Sequence, residues 1–117
     1  NVGFIVSRHP IKLAEQTRPF PRFTLTLPQG DVSLWNVHTY KALKSYDKQF
    51  KQIQLLTEAV NKVKGPVIVA GDFNATEMSE TYRRMNALLK NTHAEVGFGF
   101  GFTFPTPGEG WAAFFRF

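Results

Sequence analysis

Residues 66–76, PVIVAGDFNAT, narrow the folds open to this chain more than any other stretch. Apolar residues run without alternation from Val67 to Ala70, stop at Gly71, and give way at once to Asp72 and Asn74. A short apolar run of this kind suits a strand covered on both faces and central to its sheet. The residues before it have another period. Tyr46, Phe50, Ile53, Leu56, Val60 and Val63 recur at steps of three and four, one face of a helix over 46–64. Ser45 is its candidate N-cap, and Gly65 then Pro66 stop it. A helix feeding a covered strand belongs to a sheet flanked by helices.

The flanking segments fill out that architecture. Residues 22–27, RFTLTL, alternate polar and apolar side chains, as do residues 32–38, VSLWNVH. Pro28-Gln29-Gly30-Asp31 between them has turn chemistry, so 22–38 reads as a β-hairpin. Residues 2–7 read as a short buried strand closed by Arg8-His9-Pro10. Ser79 can cap a second helix running to about Lys90, with Tyr82, Met85 and Leu89 inward. Residues 98–104 read as a strand or extended loop with Phe on one face. Strands and helices interleave around a hairpin, which predicts an α/β (α+β) arrangement of mixed sheet and helices in one domain over 1–117.

Composition removes several classes of function. The chain has no cysteine, which eliminates disulfide staples, thiolate metal sites and cysteine nucleophiles. No apolar run approaches the roughly 20 residues of a membrane-spanning helix. A net charge of +5 favours phosphate-bearing or polyanionic partners, nucleic acid among them. Both ends are apolar, VGFIVS at the start and AAFFRF at the finish, where domain ends are usually polar. The expectation is a piece of something longer.

Asp72 and Asn74 stand just past a strand end, where α/β sheets place groups that handle ligands. In extended backbone, positions i and i+2 face one side, so both can address one substrate. Gly-Asp-x-Asn is also good turn chemistry, and a turn alone would explain it. His38 closes another expected strand, in WNVHT; alone, a histidine at a strand end is more often a structural residue. Together the three make a kit for phosphate ester hydrolysis: a carboxylate to orient or deprotonate water, an amide and an imidazole to stabilise charged oxygens.

In order, GFIVSRHPI, WNVHT, a helix, VIVAGDFNAT and GFGFTFPT resemble the endonuclease/exonuclease/phosphatase superfamily with its deoxyribonuclease-I-like α/β sandwich. The resemblance runs from about Val2 to Pro105, and GDFN after a strand is its most specific element. It implies that Asp72 positions or activates the attacking water and that Asn74 and His38 contact the scissile phosphate. Thr103 matches a family position to which no catalytic role is assigned. The resemblance also implies a divalent cofactor, Mg²⁺ or Mn²⁺, with Asp72 as a contributing ligand. The family's metal-binding glutamate, its R-I-D segment and its terminal S-D-H have no counterpart here. The glutamates are Glu15, Glu58, Glu77, Glu80, Glu95 and Glu109, and the aspartates Asp31, Asp47 and Asp72. The chain is thus expected to represent the central portion of such a domain, with an incomplete site that flanking segments or self-association would complete.

Lys41, Lys44, Lys48 and Lys51 follow His38, and the last three share a helical face. They read as a solvated face or as a field steering polyanions toward His38, with Lys44 the candidate substrate contact. Two further readings stay open beside hydrolysis: a non-catalytic phosphate or nucleic-acid binding module, and a fragment that oligomerises through unpaired strand edges.

Overall fold

A computed structural model describes residues 4–16 and 18–97. The order of elements is β1 (Ile11–Glu15), β2 (Arg22–Leu27), β3 (Gly30–His38), α1 (Ala42–Asn61), β4 (Val67–Asp72), α2 (Glu80–Leu88) and α3 (Thr92–Val96). The expected hairpin forms. Strands β2 and β3 pair antiparallel from Arg22↔Trp35 to Leu27↔Gly30, which leaves Pro28-Gln29 as a two-residue loop. Helix α1 then carries the chain across to β4, which lies parallel to β3. Among the described residues this gives a mixed sheet of four strands in the order β1-β2-β3-β4.

One face of that sheet holds the core. Alternation along β3 turns Trp35 and Val37 inward, where they meet Ile53, Leu56 and Val60 of α1, Met85 of α2 and Phe20. Val67 and Val69 of β4 pack against the same cluster. Ile53 and Leu56 are fully buried, as the period of three and four requires. Burying side chains of this size stabilises by about 1.5–3 kcal/mol each. Ser79 caps α2 as expected, its hydroxyl accepting from the Tyr82 amide at 3.1 Å.

Several expectations are corrected. Residues 4–7 form no strand, and Phe4 and Val6 are 89% and 88% exposed. The strand that pairs with β2 is Ile11–Glu15, matched from Ile11↔Leu25 to Glu15↔Arg22 across a bulge. Its polar residues suit a sheet edge, where Lys12 and Glu15 need no burial. Among the described residues, strand β4 is neither covered on both faces nor central. Among the described residues it lies at the opposite edge, and Ile68, on the face away from the helices, is 42% exposed. The unalternating run reflected apolar residues on two unlike faces. Tyr46 is half exposed rather than inward, and α1 begins at Ala42 with N-cap Lys41, Ser45 lying within it as a non-helical kink (φ −161°, ψ 61°). The strand or loop expected over 98–104, and Thr103 with it, lies outside the described residues. No helix among the described residues is long and apolar enough to cross a membrane.

Candidate active site

Strands β3 and β4 end together. Their register runs from Ser33↔Val67 to a last pair, His38↔Asp72. Parallel neighbours lie about 4.8 Å apart, so the pairing sets the imidazole and carboxylate side by side. Val37 and Thr39 face the helices, so alternation turns His38 and Asp72 to the other face, where both are exposed.

The close approach at this end depends on Gly71. Its register partner is Val37, and a Cβ on Gly71 would stand 1.9 Å from the Val37 carbonyl oxygen. Its φ of +139° also lies where side-chain-bearing residues are strained. Glycine here lets the two backbones touch immediately before the pair that matters.

Beyond Asp72 the chain turns sharply. The Asn74 amide donates to Asp72 Oδ1 at 2.9 Å, and Asn74 adopts φ 45°, a left-handed conformation that asparagine tolerates. Its side-chain Nδ2 donates to the Thr39 carbonyl at 2.9 Å, and the Thr39 amide donates to the Asp72 carbonyl at 3.0 Å. The Thr39 hydroxyl donates to the Phe73 carbonyl. Gly71 and Asp72 thus close β4, and the bonds that follow fasten Asn74 to Asp72 and across the exit of the His38 strand.

His38, Thr39, Tyr40 and Gln52 line a shallow open depression beside the pair. Lys44 lies apart from it, on a second shallow surface formed by residues 42–48. Lys48 reaches closer, its Nζ 5.5 Å from the centre of the Tyr40 ring. Within the basic run, Lys48 thus stands near Tyr40, which lines the depression.

The chain matches the endonuclease/exonuclease/phosphatase family over residues 2–116. It belongs to that family. No individual curated protein matches the chain. The endonuclease/exonuclease/phosphatase family is a family of phosphoester hydrolases, typically dependent on a divalent metal. The four-stranded mixed sheet with its helices is consistent with that family's α/β sandwich.

Mg²⁺ favours an octahedron of oxygens, commonly one or two carboxylates completed by water and phosphate. Among the described residues one carboxylate, Asp72, reaches the strand ends, and one of its oxygens already accepts the Asn74 amide. No group of three or more His, Asp or Glu side chains that could hold a metal gathers among the described residues. By themselves these residues do not fit the ion that the family implies.

Sequence reading passed over Gln49, which is buried behind the site and bonded to both strand exits. The signal was there: Gln49 lies four residues before Ile53 and seven before Leu56, a lone polar residue within the apolar stripe of α1.

Proposed function

We propose that this chain carries the hydrolytic centre of a phosphodiesterase or nuclease of its family, acting on phosphodiesters such as those of nucleic acid. The observation that supports it best is the terminal His38↔Asp72 pair, with Asn74 tied across it by the Thr39 carbonyl. The Asp72 carboxylate orients a water molecule and takes one of its protons as the water oxygen bonds to phosphorus. The bond from phosphorus to the leaving oxygen breaks, and that oxygen is protonated from solvent. Asn74 Nδ2 keeps one N–H beyond the one it gives to Thr39, and this N–H with the His38 imidazole faces the phosphate oxygens as their charge grows. The family's dependence on divalent metal supports Mg²⁺ or Mn²⁺ as cofactor, with Asp72 as one ligand and the others from outside the described residues.

The test is hydrolysis of bis(4-nitrophenyl) phosphate with Mg²⁺ or Mn²⁺, with chelator, and with Asp72→Ala. Turnover that requires metal and falls at least about 100-fold in Asp72→Ala is the expected result. Turnover indifferent to Asp72→Ala would refute the assignment.

One observation favours a second reading, a non-catalytic phosphate-binding module: no group of three or more metal-ligating side chains gathers among the described residues. That reading expects salt-sensitive binding of a polyanion with no turnover and no response to Asp72→Ala.

A further inference from the structure

Gln49 is a polar side chain in an apolar place. It lies on the core face of α1, is 1% exposed, and neighbours the fully buried Ile53 along the helix. Its Nε2 stands 2.9 Å from the Tyr40 carbonyl oxygen and 3.1 Å from those of Phe73 and Asn74, with the Thr39 hydroxyl oxygen at 3.4 Å. An amide nitrogen has two hydrogens, so they are shared among these acceptors. Oε1 accepts from the Thr81 hydroxyl of α2 at 3.2 Å. The three carbonyl groups fix which end of the amide faces the strands, since only its nitrogen can donate to them.

The partners are more telling than their number. Tyr40 follows His38 by two residues at the exit of β3, while Phe73 and Asn74 follow Asp72 at the exit of β4. Neighbouring Gln52 adds to the hold, its Oε1 accepting from the Tyr40 amide at 2.9 Å. A contact meant only to satisfy a core amide needs no such partners. Here one side chain grips the backbone directly after both members of the terminal pair.

We infer that Gln49 is the positioning residue of this site: it joins the two strand exits from beneath and sets Asp72 and Asn74 against His38. The inference rests on the hydrolytic reading for its kinetic consequence, though not for its structural one. Gln49 touches neither water nor phosphate; it acts through the backbone of the residues that do. Carboxamides are well suited to the task, because they donate to carbonyl groups without bringing a charge into the core.

The experiment compares the whole chain with Gln49→Met, which keeps the length of the side chain, and Thr81→Val, which removes only the hydroxyl bonded to the amide oxygen. Amide hydrogen exchange is followed by NMR at Thr39 and Asn74 near the site and at Trp35 and Ile53 in the core. Expected in Gln49→Met is exchange faster by about 100-fold at Thr39 and Asn74, with the core amides changed less than about threefold. Thr81→Val moves the same two amides in the same direction by a smaller factor. With bis(4-nitrophenyl) phosphate, kcat falls about 10- to 100-fold while KM stays within about twofold, as displacement of catalytic groups requires. Equal acceleration at Trp35 and Ile53 would make Gln49 a packing residue and overturn the inference, as would kcat unchanged by either variant. Should the unaltered chain turn over no phosphodiester, the hydrolytic reading fails, and the exchange pattern alone decides the positioning role. If Gln49→Met does not fold, Thr81→Val carries the same comparison.

Discussion

Gly71→Ala tests whether the close contact of β3 and β4 is what brings Asp72 to His38. Among the described residues three glycines share the region of positive φ: Gly30 at +131°, Gly65 at +105° and Gly71 at +139°. A Cβ at Gly30 or Gly65 meets nothing within 4 Å, whereas at Gly71 it meets the Val37 carbonyl oxygen at 1.9 Å and the Val37 nitrogen and carbonyl carbon at 2.8 Å. Backbone strain is therefore common to all three substitutions, and collision is particular to one. Strain of this kind costs about 1–3 kcal/mol. At Gly71 the obstacle is backbone in a sheet, so no side chain can swing away. The strands must part, which adds about 1–3 kcal/mol of overpacking. Losing the Thr39–Asp72 ladder bond adds about 1 kcal/mol. Urea unfolding of the three alanine variants measures the difference directly. Gly71→Ala should be less stable than Gly30→Ala by about 2–4 kcal/mol, the sum of the two added terms, and should lose the proposed phosphodiester hydrolysis that Gly30→Ala retains. Equal stabilities for Gly71→Ala and Gly30→Ala would refute the reasoning, because φ is nearly the same in the two and the contact is not.

Two other perturbations follow from the same structure. Ser79→Ala removes the acceptor of the Tyr82 amide and should destabilise by about 1 kcal/mol in urea unfolding, with Ser79→Asp restoring most of it. Replacing Lys44 and Lys48 together by Gln should weaken binding of single-stranded oligonucleotide and flatten its dependence on salt by at most about two in the log–log slope, measured by fluorescence anisotropy. Lys48→Gln alone should account for more of the loss than Lys44→Gln, since Lys48 borders the Tyr40 side of the depression.

Where local pattern and tertiary environment agreed, the fold was legible. The hairpin needed only alternation and a Pro-Gln-Gly turn; α1 needed only its apolar stripe; α2 announced its start through Ser79. The failures share one cause, that burial is decided by neighbours which one segment cannot specify. Val67 to Ala70 read as covered on both faces because every side chain was apolar, yet helices cover one face and Ile68 looks away from them. Residues 2–7 read as a strand, but residues 4–7 form none and IKLAE is what meets β2 after Pro10, where the Thr26 amide donates to the Pro10 carbonyl at 2.9 Å. Asp72 and Asn74 were visible because their residue types are conspicuous after an apolar strand. Gln49 was hidden by the opposite circumstance, a single polar residue among helical apolar ones, whose partners lie 9 to 32 residues away along the chain.

The alternation of β3 couples packing to chemistry more tightly than motif reading suggests. Trp35 and Val37 are buried, as is Thr39 just beyond the strand, and the positions between them, Asn36 and His38, take the other face. A slip of one residue would expel Trp35 and bury His38, so the cluster that stabilises the domain also decides which side of the sheet presents the imidazole. Strand β4 is held by the same rule, with Val67 and Val69 inward and Asp72 outward. Core packing thus sets which residues face out, while register and Gly71 set how closely they approach. Neither settles where the chain goes after Asp72, because no strand pairing extends beyond His38↔Asp72. That last freedom is removed by hydrogen bonds from Asn74, Thr39 and Gln49, polar groups working where hydrophobic contact has no directional preference.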